Sequence, residues 1–164
     1  MKKMIKILIS WFGCALLIGL DRWTKIWADL HVAGKGVISV VGNMVILVYA
    51  KNRGAFLSMG NSLGHTLWYI CFVILPIIFI IIATIYVFRK YSNDNSVLVL
   101  WVLFFSGGAG NVIDRVLYGR VTDFMNIGIG EVVRSGIFNV ADLYIVAAIG
   151  IVAVNALKPK NTTP

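Results

Sequence analysis

Four apolar runs restrict what this chain can fold into. They cover about residues 4–28, 66–88, 95–113 and 135–157. Each approaches the roughly 20 residues that cross about 30 Å of hydrocarbon. Of 164 residues, 59% are hydrophobic and 13% charged, more apolar surface than a soluble core of this size can absorb. The expectation is one integral-membrane domain over 1–164. Met1 to Lys6 followed by Ile7–Leu20 imitates a signal peptide, yet no small-x-small site precedes Asp21, so an uncleaved first helix is expected. Pro76 predicts a kink in the second span.

The net charge is +8. Its basic residues are scattered between apolar runs, which argues against nucleic acid and for anionic lipid headgroups. The basic residues divide almost evenly between the two sides. Lys2, Lys3, Lys6, Arg89, Lys90, Lys158 and Lys160 are plain flanking charge, whereas the other group is interleaved with Asp21, Asp29, Asp114, Asp123 and Glu131. Both termini and the loop 89–95 are therefore expected in the cytoplasm. The insertion at about 31–62 is then external. Its β-branched runs flank Gly42-Asn43, which predicts a two-residue hairpin loop, and Val132-Val133 predicts one more short strand. The stretch 54–62 carries Phe56, Leu57 and Met59 and is expected to lie on the membrane surface. The fold class expected is a mainly α membrane protein: four transmembrane helices and a small extracytoplasmic β-sheet platform. Cys14 and Cys71 lie in apolar runs without CxxC spacing and read as small buried thiols, not a disulfide.

Two aspartates stand out against this apolar background. Asp142 lies inside the fourth run, and Asp123 lies just after the third. A carboxylate within a membrane span costs about 2.5–3.5 kcal/mol on insertion scales, so it faces the protein interior and has a role. Two near one membrane face can share a proton and activate water. Asn139 is placed with Asp142 on one face of the fourth helix. Asn111, Asp114 and Arg115 share a face of the third, where Ser106 and Gly110 have the small-xxx-small spacing of a packing seam. Asp21, Lys25 and Asp29 form an i, i+4 ladder beside Trp23 and Trp27. Each pattern alone also fits a bland role: a seam, a polar clamp or an aromatic belt. His31 and His65 lack metal-ligand spacing, and there is no GxSxG or phosphate-binding loop.

Together the motifs Asp21-Arg-Trp-Thr-Lys25, Asn52-Arg-Gly-Ala-Phe56, Gly107-Gly-Ala-Gly-Asn-Val-Ile-Asp-Arg115, Val121-Thr-Asp-Phe124 and Phe138-Asn-Val-Ala-Asp142 resemble, in order and over most of the chain, the lipoprotein signal peptidases, the type II signal peptidases of bacteria. Leu57 and Ser58 depart from the small residues common there. The resemblance implies an aspartyl endopeptidase in the bacterial plasma membrane, with an external β cradle and an active site near the outer face. It implies a short surface helix beside that cradle, and cleavage of signal peptides from prolipoproteins, before a cysteine that carries diacylglycerol. Asp123 and Asp142 match the catalytic dyad. Asn52, Gly54, Asn111, Arg115 and Asn139 match substrate-binding positions, and Asp21, Lys25, Gly108 and Asp114 match supporting ones. Membrane lipids and cyclic peptide inhibitors such as globomycin are the other expected partners, and no metal or organic cofactor is required. The rival readings are a small proton-coupled carrier with aspartates as relay groups and a structural membrane subunit. Against the carrier, the polar residues gather near one face and the second run holds no ionisable group.

Overall fold

The computed structural model describes residues 2–54, 60, 62–129 and 133–157. Four helical stretches are long and apolar enough to cross a membrane: Lys3–His31, His65–Lys90, Asn95–Tyr118 and Val140–Leu157. Helix α1 is the first of these. The second comprises α2 (His65–Tyr69), a π-helical turn (Ile70–Ile74) and α3 (Leu75–Lys90). Pro76 enters just after that turn. It lacks the N–H that a regular helix would aim at Phe72, and the wider turn absorbs the misfit expected as a kink. Helix α4 (Asn95–Tyr118) starts at Asp94, whose carboxylate accepts from the N–H groups of Ser96 and Val97, and stops at Gly119, whose φ of +67° closes the helix.

Helix α4 is the central post, with α1, α3 and α5 (Val140–Leu157) packed around it. Glycines set the closeness of two of these packings. A Cβ on Gly107 would meet the carbonyl oxygen of Ala141 at 2.5 Å, and one on Gly110 would meet Oδ2 of Asp21 at 2.6 Å. The polarity is inverted relative to a soluble protein. Phe12, Ile82 and Val146 point outward, while Asp21, Lys25, Asp114 and Asn139 are buried. A lipid environment favours this arrangement, because apolar surface gains nothing by hiding from hydrocarbon and polar groups gain from each other. Cys14 is buried as expected. Cys71 is exposed on the π turn, against the expectation, because the second span sits at the edge of the bundle; both thiols are free.

A four-stranded antiparallel sheet in the order β1-β2-β3-β4 caps one end of the helices: β1 Val37–Val41, β2 Val45–Asn52, β3 Val121–Ile129 and β4 Val133–Arg134. Phe124 on β3 seats it on Ala28 and Val32 at the end of α1. The hairpin loop has three residues rather than two. A register shift after Ser39 leaves Val41 opposite Val45, with Gly42 at φ +49°. The fourth span is shorter than the apolar run that announced it. Residues 135–138 stay extended beside β3, where Phe138 exchanges backbone hydrogen bonds with Met125, and helix begins only at Val140. The expected surface helix lies largely outside the described residues, as do Val132 and the chain from 158 onward.

The glycine seam makes a controlled prediction. Gly107→Ala and Gly110→Ala force heavy atoms inside van der Waals contact and are expected to lower stability in detergent by about 1–3 kcal/mol each. Gly150→Ala meets nothing within 4 Å. That change should be neutral or stabilising by up to about 1 kcal/mol. Thermal unfolding of the three variants separates them; equal melting points would refute the packing.

Candidate active site

The N-terminus of α5 brings the two aspartates together. Asn139 is not on the helix face predicted for it but is the capping residue just before Val140. Its Oδ1 accepts from the N–H of Asp142 at 3.2 Å, and its own N–H donates to Oδ2 of Asp142 at 3.0 Å. This reciprocal cap satisfies two of the unpaired donors that begin a helix. It also places Asp142 in the first turn, where the helix dipole favours negative charge, so the intramembrane carboxylate costs less than its place in the apolar run suggests. The Asn139 side chain then reaches across. Its Nδ2 donates to Oδ1 of Asp123 at 2.6 Å and to Oδ1 of Asn111 at 3.1 Å. Asn111 Nδ2 donates to Oδ1 of Asp142 at 2.8 Å. Each carboxylate thus accepts from a neighbouring amide, and Asn139 ties both into one network.

Asp123 stands on β3, and the sheet decides what faces it. Between Leu47 and Ala50, strand β2 has one residue more than β3, which leaves Asn52 opposite Val121. Side chains alternate, so Asn52, Val121 and Asp123 share a face; without the bulge Asn52 would point to the other. Asn52 Nδ2 donates to Oδ2 of Asp123 at 3.0 Å, and its Oδ1 accepts from the N–H of Gly54 at 3.0 Å. Burial pushes the Asp123 carboxyl up to about 6, with the charge of Asp142 adding to the effect and the bonds from Asn139 and Asn52 opposing it.

A fully buried cation supports this pair. Lys25 Nζ donates to Oδ2 of Asp21 at 2.8 Å and Oδ1 of Asn111 at 3.0 Å, and lies 3.1 Å from Oδ2 of Asp114. Asp21 spends its other oxygen on the N–H of Ala141 at 3.0 Å, a third donor of the α5 N-terminus. Asp114 also pairs with Arg22 and accepts from the N–H of Thr122 at the start of β3. Arg115 Nη2 donates to the carbonyl of Gly54 at 2.7 Å while its guanidinium lies over the ring of Phe72.

The residues singled out in the sequence therefore converge, with two exceptions. Asp29 leaves the ladder and joins Lys51 and Tyr49 instead. Gly108 meets Ile80 of α3 rather than the polar cluster. Sequence reasoning gave no role to Arg22, Thr122 or Phe72. The signal for Arg22 was available: two buried acids, Asp21 and Asp114, need more cation than Lys25 alone supplies.

This geometry has relatives. The profile of the family described as Signal peptidase (SPase) II matches residues 14–158. The chain belongs to the signal peptidase II family. It is 33% identical over 145 residues to the lipoprotein signal peptidase of Streptococcus thermophilus (strain CNRZ 1066), covering 88% of this chain and 90% of that one. It is 33% identical over 155 residues to the lipoprotein signal peptidase of Clostridium novyi (strain NT), covering 94% and 98%. Among solved structures it is similar to a bacterial membrane enzyme determined by the in meso method at 2.3 Å resolution, with TM-score 0.76, 26% identity and 96% coverage of both chains. A second such structure, at 1.9 Å, gives TM-score 0.77 with 26% identity, covering 94% and 96%. The protein is thus a multi-pass membrane member of a peptidase family, and the carrier reading is not favoured.

Two outcomes follow for this signal peptidase II family member. Lys25→Met leaves buried Asp21 without a cation and Asp114 with Arg22 alone, and is expected to cost about 3–5 kcal/mol, read as a collapse of thermal stability in detergent. A stable variant would refute the clamp. The second outcome concerns pH. The folded Asp123 carboxyl titrates at about 6, above its ordinary 3.8. The native state therefore holds this proton longer than the unfolded chain, and this group's contribution to stability falls as pH rises between those values. Asp123→Asn cannot titrate. Its melting temperature relative to wild type should climb from about pH 4 to about pH 6 and level off above about pH 7. A difference that stays flat across this range would contradict the burial of the charge.

Proposed function

We propose that this protein removes signal peptides from prolipoproteins, cutting before a cysteine that carries diacylglycerol, with Asp123 and Asp142 as its catalytic dyad. The observation that carries this reading is Asn139, which binds both aspartates and presents them as one unit. Close carboxylates resist double ionisation, so the pair holds one proton at the start. Asp123, whose carboxyl is pushed up to about 6 by burial, is the one that carries it. Asp142 takes a proton from water as the oxygen attacks the scissile carbonyl, while Asp123 gives its proton to the carbonyl oxygen. The tetrahedral diol then collapses. Its C–N bond breaks, the proton on Asp142 passes to the leaving amine, and a diol proton returns to Asp123.

The rest of the site divides between holding the dyad and holding the peptide. Asn52, Asn111 and Asn139 set the carboxylates and lie where a peptide backbone would pass. Arg115 anchors the turn at Gly54. Asp21, Lys25 and Asp114 hold the frame, and Gly108 packs the frame against α3. Both termini are placed in the cytoplasm and the sheet outside, on the strength of the flanking lysines. The substrate's acyl chains remain in lipid and fix the depth of the scissile bond, since each buried CH₂ contributes about 0.8 kcal/mol. A cyclic peptide such as globomycin would compete for the same pocket.

The test is a paired assay in nanodiscs with one precursor before and after diacylglyceryl transfer. Only the lipidated form should be cut, and Asp123→Asn or Asp142→Asn should each lower the rate by at least about 10²-fold without loss of insertion. Equal cleavage of both forms would remove the lipid from the mechanism. Wild-type turnover by either variant would remove the dyad.

A further inference from the structure

Two apolar grooves run along the membrane-spanning part of α4. One, lined by Trp11, Ile81 and Ala109 among others, lies between α1 and α3. The other, of about 420 Å³, lies between α3 and α5 and is lined by Ala83, Val87, Val97, Phe104, Ile149 and Ala153 among others. Helical geometry distinguishes them. At about 100° per residue, Ile149 and Ala153 stand seven and eleven positions beyond Asp142, within about 20° of it around α5. Phe104 and Val97 stand eleven and eighteen positions before Arg115, within about 20° of it around α4. On α4, Phe104 also falls seven positions before Asn111, on the same stripe. The α3–α5 groove therefore lies inward of Asp142, Asn111 and Arg115 on the same faces of α4 and α5. The α4 residues of the other groove, such as Ala109 and Ile113, are turned more than about 90° from Asn111 and Arg115.

We propose that the groove between α3 and α5 seats the apolar segment of the signal peptide upstream of the cleavage site. The proposal rests on the function proposed above, and extends it from the reacting bond to the part of the substrate that carries no reacting atom. A peptide held at Asp123 and Asp142 must lead its upstream residues into the bilayer. The groove that shares the helix faces of Asp142, Asn111 and Arg115 receives them without a change of direction. Its far end is within reach: Ala153 stands about 16 Å along α5 from Asp142, and the 7–15 apolar residues of a signal peptide span about 10–22 Å as a helix. Its lining also agrees, since alanines at positions 83 and 153 leave room and no ionisable group lines the walls. Binding energy gathered there, away from the reacting centre, is the same before and during the reaction, so it lowers KM.

Filling the groove tests this. Ala83→Trp and Ala153→Trp, assayed with a full lipidated precursor, should raise KM at least about tenfold with little change in kcat, as expected when uniform binding is lost. A short lipidated peptide that begins a few residues before the cleavage site should be cut by these variants as by wild type. Ala109→Trp, which fills the α1–α3 groove, should leave both substrates unaffected. Unchanged KM in the two groove variants, or a larger effect from Ala109→Trp, would overturn the proposal while wild-type cleavage keeps the peptidase reading intact. If the tryptophans prevent folding, the inactive Asp142→Asn protein is loaded with a precursor carrying a photoreactive residue mid-way along its apolar segment. Cross-links should map to Ala83–Val87 and Ile149–Ala153. Cross-links to the Trp11 and Ile113 side, or none to protein, would overturn it.

Discussion

The ammonium of Lys25 is the interaction on which the rest of the structure depends. It is buried, and its three N–H bonds have three acceptors: Asp21 on its own helix, and Asn111 and Asp114 on α4. Lipid supplies no hydrophobic force to press helices together, so specific polar contacts and close backbone packing must set their relative positions. A buried ion pair contributes little net stability, because desolvating the charges is costly. Its effect here is geometric. Asp21 passes the constraint to α5 through the N–H of Ala141, and Asp114 passes it to β3 through the N–H of Thr122. One charge thereby fixes α4, α5 and β3, the elements that carry Asn111, Asp142 and Asp123.

The dyad itself is assembled from unlike parts. Asp142 belongs to the first turn of a helix and Asp123 to a strand. Neither element alone could align both carboxylates, and Asn139 bridges them by serving as a helix cap and a cross-link at once. Every hydrogen of its amide and its oxygen has a partner, which fixes the amide's orientation and, with it, the Asp123 oxygen that it meets. Such a network holds the two carboxylates to a geometry that loops cannot hold.

The inverted polarity of the molecule fits hydrolysis rather than transport. The buried charges lie near the sheet-bearing end of the spans: Asp21 and Lys25 late in α1, Asp114 and Arg115 late in α4, Asp142 at the start of α5. From there inward, the facing surfaces of α3, α4 and α5 are apolar. A polar pocket that ends in an apolar floor admits water to a bond at the interface and gives an ion no path onward.

The four spans, the sheet on one side and the two aspartates were all determined by the sequence alone. Runs of apolar residues have few alternatives to crossing a bilayer, and a carboxylate inside one demands an explanation. The polar groups at Asp21, Lys25, Asn111, Asp114 and Arg115 were legible through helical spacing, since residues three and four apart on a known helix must share a face. Tertiary structure decided the rest. The start of α5 at Val140 depends on Phe138 pairing with Met125, a contact between segments that hydropathy cannot see. The side toward which Asn52 points depends on one extra residue in β2, whose position follows from the fit of β2 to β3. Arg22 joined the site because Asp114, distant in sequence, needed a second cation. Local pattern specifies an element and its faces. Which face meets which neighbour is decided by hydrogen bonds made across the fold, and those exist only once the helices and the sheet have come together.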